Sequence, residues 1–414
     1  MNTHSHKLRA PKSVSIRLYS WLQRFFPVFP SRVRHQAVFV LAAILLLSAS
    51  TAFAERWKVQ YFFDESRDTM VIEDLAFPSA QRGIAVGAII DELGQKKPRY
   101  VSLATSDGGA HWSTFPLTDT PRSIFFLDDS TGWMVTDNAF WLTEESGRSW
   151  KRIAPQIKPD KKISPVSGGL ITRVWFVDAH RGFAVGLQKA VYQTKDGGVT
   201  WTPIIEAAQP AGNPAFTAYT SIAFPSPKLG MIFGSAIPPR RDDPRFPEWM
   251  EPERAVKRRQ VPTLTLEVKT FDGGESWKSG TAPLIGSIST VRYGGVDGLY
   301  IYQYNESFEW PSEVYHAGEK PGSITSVYKS NLRVTDCAVF AGPRAFLAAV
   351  EPPGKLNSIP IPGKVRILSS TNWTDWTEMD VDYKANARSL IMAGPDAEHL
   401  WVATDTGMIL HLIP

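Results

Sequence analysis

The sequence predicts an all-β fold, a seven-bladed β-propeller of four-stranded antiparallel blades closed by its N-terminal strand. Three observations predict it. A turn phrase recurs along the chain, an aromatic–glycine spacing recurs upstream of that phrase, and the first strand after the leader resembles the strand that the last repeat lacks. Recurrence at roughly 40 to 50 residues, with some longer gaps, marks a repeat architecture rather than one irregular core.

The phrase Thr-x-Asp-Gly-Gly-x-x-Trp runs from Thr105 to Trp112, from Thr194 to Trp201 and from Thr270 to Trp277, with Asp107, Asp196 and Asp272 as its acids. A weaker copy, Thr143 to Trp150, carries Glu145 in the Asp position. A decayed one, Ser369 to Trp376, keeps the hydroxyl and the Trp. An Asp carboxylate accepts main-chain N–H groups just downstream, and a Gly pair permits the positive φ of a tight reversal. The Trp then opens the next strand. The phrase resembles the Asp-box (bacterial neuraminidase) repeat, and its carboxylates invite a catalytic reading. A motif present in blade after blade is better read as structural, because an active site is needed once.

The second pattern is an apolar strand ending in an aromatic, a short turn, a Gly and another apolar strand. Phe77 and Gly83, Phe126 and Gly132, Phe176 and Gly182, and Phe224 and Gly230 are each six residues apart. Weaker copies end at Tyr293, Phe340 and Met392, which makes seven units. A third strand, the turn phrase and a Trp-led fourth strand complete each unit, which is the blade of a propeller. The last unit stops one strand short, and the segment from Arg56 to Phe62 has the Trp-led form to fill the gap.

The first 54 residues hold seven basic and no acidic side chains and end in an apolar run followed by Ala52-Phe53-Ala54. This describes a secretory signal peptide, with an uncleaved membrane anchor as the alternative. Residues 55–414 then form the propeller, with an insertion at 237–262 in blade four. Taking seven from the 45 basic residues leaves 38 against 41 acidic ones, a formal charge of −3. The basic balance therefore belongs to the leader, and nucleic-acid binding loses its compositional support. Cys337 is the only cysteine and reads as a core residue. The expected setting is periplasmic or secreted, and the expected state is a monomer.

Two places offer a binding site. Aligned on their aromatics, the inner strands put Glu73, Arg122, Thr172, Thr220, Ser289, Asp336 and Arg388 four residues earlier, at the mouth of the central channel. One residue later come Asp74, Ser123, Arg173, Ser221, Thr290, Cys337 and Ser389. Arg122, Arg173 and Arg388 would bring guanidinium groups suited to carboxylate or phosphate there. A polar lining is also what any wet channel has. The second place is the 237–262 insertion, with Arg240, Arg241, Arg245, Arg258 and Arg259 around Phe246 and Trp249, side chains typical of interfaces. The long insertions, 90–99, 237–262 and 351–363, all fall in second-to-third strand loops, on the face opposite the turn phrases. His111, His180, His316, His399 and His411 match no metal spacing, and no phosphate or dinucleotide motif occurs, so no metal and no cofactor are expected. Tyr300, Tyr302 and Tyr304, with Glu306 and Glu309, leave open a Tyr/Glu pair of the kind sialidases use.

The segments Val174 to Gly186 and Ile124 to Trp133 are similar to the I-x-F-x-D-x-x-x-G-W/F-A-V-G pattern of the photosystem II stability/assembly factor family. That resemblance spans nearly the whole mature chain. It implies an exported, non-enzymatic scaffold that holds a protein partner, in photosynthetic members a newly made membrane subunit. Sialidases share the turn phrase, but on six blades and with an Arg-Ile-Pro segment that is absent here. A glycan-active propeller, lectin-like or hydrolytic, is the alternative expectation.

Overall fold

The computed structural model describes residues 55–65, 67–91, 93–154, 156–157, 171–210, 212–236, 263–284, 286–304, 310–318, 324–352 and 361–414. Its strands form seven sheets. Blade 1 runs outward through Asp68–Ala76, Gly83–Asp91, Arg99–Thr105 and Ser113–Leu117. Blades 2 to 6 repeat this order from inner strands Pro121–Phe126, Ile171–Phe176, Thr217–Ala223, Gly286–Gly294 and Arg333–Val339. Blade 7 contributes Leu390–Ala393, Trp401–Thr404 and Met408–Ile413, and the N-terminal strand Arg56–Phe62 pairs antiparallel with the last of these. The ring is thus closed as the sequence predicts. Trp57, the Trp that leads this strand, is buried and meets Phe346 edge-on at 6.4 Å.

The aromatic–glycine spacing has a steric cause. In blades 1 to 4 the ring that ends each inner strand lies over the Gly six residues on: a Cβ on Gly83 would stand 2.3 Å from the Phe77 ring, and one on Gly182 2.5 Å from Phe176. The same rings reach sideways to the preceding blade. Phe77 stacks on Trp401 of blade 7 at 3.7 Å, Phe176 on Trp133 of blade 2 at 3.7 Å, and Phe224 on Phe183 of blade 3 at 4.8 Å. Such stacks add about 0.5–1.5 kcal/mol each beyond the area they bury. In blade 5 the Tyr293 hydroxyl donates instead to the Met231 sulfur of blade 4, at 3.9 Å. One spacing therefore sets both the hairpin and the blade-to-blade seam.

The turn phrases share one hydrogen-bond scheme. In the turn from Thr270 to Trp277 the Thr270 hydroxyl accepts from Gly274 N at 2.8 Å and donates to Asp272 at 2.7 Å, while Asp272 accepts from Ser276 N at 2.9 Å. The copies at 105–112 and 194–201 repeat these bonds within a few tenths of an ångström. Gly273 and Gly274 take φ of 77° and 98°, which an L side chain resists. Main-chain N–H groups of Gly108, Ser146, Gly197 and Gly273 each bond a carbonyl in their own blade's first hairpin turn, so both turns share one face. Trp201 and Trp277 donate their indole N–H back into the turn, whereas those of Trp112 and Trp150 are buried without a partner. Glu145 takes the Ser149 hydroxyl at 2.6 Å. The decayed copy starts at Ser370, not Ser369. Ser370 accepts from Trp373 N at 3.0 Å, Asn372 replaces the Asp, and Trp376 follows one residue sooner than in the full phrase.

The described second-to-third strand turns, such as those at Asp137 and Asp405, lie on the opposite face, the loop face. The insertion at 237–262 lies outside the described residues, and with it Arg240, Arg241, Arg245, Phe246, Trp249, Arg258 and Arg259. The leader does too. Among the described residues no helix is long and apolar enough to cross a membrane.

Candidate functional site

In six of the seven blades the ladder between the first two strands slips by one residue at the same place. The unpaired residues are Glu73, Arg122, Thr172, Thr220, Ser289 and Thr335. Bulges re-aim side chains, and here they ring one end of the channel. The residues that follow are Asp74, Ser123, Arg173, Ser221, Thr290 and Asp336.

Two registers differ from the sequence alignment. Asp336 belongs to the second row, with Asp74, because Val339 and not Phe340 pairs with the residue in the glycine position, Ala345. Arg388 precedes its inner strand by two residues, because Gly394 and not Met392 stands where the other blades have an aromatic. Both strands lack the aromatic on which the alignment rests.

Asp74 and Asp336 do equivalent work between neighbouring inner strands. Asp74 accepts Leu75 N at 3.0 Å with Oδ1 and Ile124 N of blade 2 at 2.9 Å with Oδ2. Asp336 accepts Cys337 N at 2.9 Å and Met392 N of blade 7 at 3.0 Å. Each is only 4% exposed. Asp336 also takes Nε and Nη2 of Arg292, at 3.3 and 3.1 Å. That ion pair drives the Arg292 pKa further above its ordinary range. Asp74 has no such direct partner. Burial raises its pKa, and the nearby charges of Arg173 and Arg292 oppose the rise.

Asp74 and Arg292 line a central cavity of about 320 Å³ that all seven inner strands reach, and its wall is two-layered. One layer is polar, with Asp74, Arg173, Ser221 and Thr290. The next, two residues on, holds Ala76, Phe125, Trp175, Arg292, Ala338 and Ala393. Arg292 was invisible to the alignment of polar rows, which stopped two residues short of it. Its signal was a lone charge in a row of alanines and aromatics.

Arg122 and Arg388 sit outside this cavity on the loop face. Arg122 Nε pairs with Asp137, and Arg388 Nε with Asp405 at 2.8 Å, each partner lying in the second hairpin turn of the same blade. Both arginines keep nearly half of their side-chain surface exposed, 49% and 46%. Glu73 lies in the field of this cluster. Desolvation raises its pKa, Arg122 offsets part of the rise, and Asp74, Asp405 and Asp137 add to it. Within the described part of the Tyr-rich stretch, Tyr304 donates to Glu313, which also accepts from Ser326 at 2.5 Å, across the second to fourth strands of blade 5. Glu306 and Glu309 lie outside the described residues. Among the described residues no three metal-ligating side chains come together.

No protein-family model and no curated protein matches the chain. Solved structures do match in fold. One is YCF48 bound to D1 peptide, 17% identical, with TM-score 0.51, covering 86% of this chain and 100% of that one. YCF48 from Cyanidioschyzon merolae is 13% identical with TM-score 0.53, over 86% and 98% of the two chains. A GH74 xyloglucanase from Xanthomonas campestris is 12% identical with TM-score 0.52, over 86% of this chain and 53% of the enzyme. What they share is the fold. At these identities the likeness carries no substrate or partner across.

Proposed function

We propose that this chain is an exported, non-enzymatic binding scaffold, resembling photosystem II assembly factors, that engages a protein partner through its loop face. The observation that carries the proposal is the contrast between the faces. The carboxylates of the turn phrases are consumed inside their own turns, while the loop face presents Glu73 and the half-exposed Arg122 and Arg388 around the channel mouth. Exposed ion pairs of this kind contribute little stability, so they leave their guanidinium groups free to exchange partners. The partner proposed is a segment of a membrane protein during its assembly. A propeller of the same fold in complex with a peptide supports that reading. The xyloglucanase likeness supports a glycan-active alternative.

The test is site-specific photo-crosslinking from the exposed Asn138 and Asn386, which flank the Arg122 and Arg388 ion pairs, compared with crosslinking from Val199 and Phe271 on the turn-phrase face. In host membrane extract the first pair should capture a discrete protein that an Arg122→Glu/Arg388→Glu variant loses. Capture from Val199 and Phe271 alone would place the interface on the wrong face. Turnover or binding on a glycan panel, with no protein captured, would replace the scaffold reading with the glycan-active one.

A further inference from the structure

We infer that the central cavity is a binding site for a small aromatic monocarboxylate, independent of the protein-docking face. Three features of the cavity carry the inference: spare hydrogen-bond donors, a wall suited to a flat ring, and a charge balance that admits one negative charge more readily than two.

The donors come first. Among the described residues no hydrogen bond or ion pair engages the Arg173 guanidinium, although it lines the cavity within the field of Asp74. Arg292 spends Nε and Nη2 on Asp336, which leaves Nη1 unengaged. The Ser221 and Thr290 hydroxyls also line the cavity without a hydrogen bond of their own. Planar guanidinium groups and hydroxyls facing one space are a natural receptor for a carboxylate.

The wall comes second. Phe125 and Trp175 lie side by side, their ring centroids 5.1 Å apart, and both are only partly buried. Ala76, Ala338 and Ala393 in the same layer leave the space that larger side chains would fill. Arg292, on blade 5, lies across the channel from blades 1 and 2, three blades from Phe125 and two from Trp175. A flat ring resting against Phe125 and Trp175 can therefore turn its carboxylate toward the arginines. The cavity volume is at the small end of ligand pockets, which run from about 300 to 1,000 Å³.

The charge balance limits the ligand. Asp74 and Asp336 direct their oxygens to main-chain N–H groups, and Asp336 is neutralised by Arg292. Arg173 and Arg292 balance Asp74 and Asp336 in formal charge, and a cavity neutral at rest takes up one negative charge more readily than the two of a phosphate ester.

The experiment is calorimetric titration of the full-length protein with 2-naphthoate, 2-naphthamide as its neutral isostere, and 2-naphthyl phosphate. The expected result is saturable 1:1 binding of the naphthoate, with the amide and the phosphate each weaker by about tenfold or more, the loss typical of one charge-assisted contact. Arg173→Gln should lower naphthoate affinity by a similar factor. Ala393→Leu, which fills the cavity and leaves its charges in place, should abolish binding. Melting curves verify that each variant is folded, and either folded variant suffices. Absence of naphthoate binding, equal binding of the amide, or unchanged affinity in a folded variant would each overturn the assignment. Protein crosslinking at the channel mouth is unaffected by any of these outcomes.

Discussion

The two ends of the propeller treat repetition in opposite ways. On the turn-phrase face, copies at 105–112, 194–201 and 270–277 make the same Thr–Asp–amide bonds, and the preceding blade reaches each of them in turn, through Gln60 to Gly108 O, Trp133 to Gly197 O and Lys195 to Glu275. On the channel side the backbone repeats, with a bulge at the same place in six blades, but the side chains do not. One row reads Asp74, Ser123, Arg173, Ser221, Thr290 and Asp336. Both ends join neighbouring blades, the first around a repeated turn and the second through side chains that differ from blade to blade. The lesson is that a repeat fold is read from its convergent positions, and its site from its divergent ones.

If that division is right, the largest single loss belongs to the channel. Asp336→Ala removes the acceptor for Met392 N and strands Arg292 without its anion, so it should cost about 3–5 kcal/mol by denaturant unfolding. Asp74→Ala leaves two main-chain donors without their acceptor but no paired arginine, and should cost less, about 1–3 kcal/mol. Equal losses would mean that the Arg292 pair adds nothing to the seam. Gly182→Ala comes next. Its methyl would collide with Phe176, whose ring is also the stack on Trp133, and overpacking of this kind costs about 1–3 kcal/mol. An unchanged unfolding midpoint would show that the aromatic–glycine spacing is dispensable.

The same contact explains how much was legible in the sequence. Blades 1 to 4 could be counted because the ring over Gly83, Gly132, Gly182 and Gly230 admits no other residue. Blade closure was legible because Trp57 occupies the buried position that a Trp fills at the start of other fourth strands. Registers in blades 6 and 7 were not, since Val339 and Gly394 stand where the pattern has an aromatic, and the nearby Phe340 and Met392 draw the alignment off. Arg292 escaped for a different reason. Its importance depends on Asp336, 44 positions away, and on the alanines around the ring, neither of which is a local signal. The shortened turn at Ser370 shows the same limit, because Trp373 with φ of 66° takes up the reversal that a Gly makes elsewhere.

Smaller effects sharpen the comparison further. Thr270→Val leaves Gly274 N buried without its acceptor, and should cost about 1–2 kcal/mol with no change in channel ligand binding. A change in naphthoate affinity there would break the separation between the faces.

The smallest effect expected is a gain. Glu73 holds its proton more tightly in the folded protein than in the unfolded chain, chiefly through desolvation at the channel mouth and then through Asp74, Asp405 and Asp137, against the pull of Arg122. A carboxyl with a raised folded pKa contributes its full stability below the unfolded value, about 4.3 for Glu, and loses it as pH rises through the folded value. At neutral pH the ionised Glu73 is therefore a net cost. Glu73→Gln should raise the melting temperature slightly at pH 7, and the gap between variant and wild type should close as the pH is lowered below about 4. A gap that stays constant with pH would mean that the gain comes from packing. A lower melting temperature at pH 7 would mean that the Arg122 attraction outweighs desolvation, which would turn Glu73 from a strained member of the loop face into one of its struts.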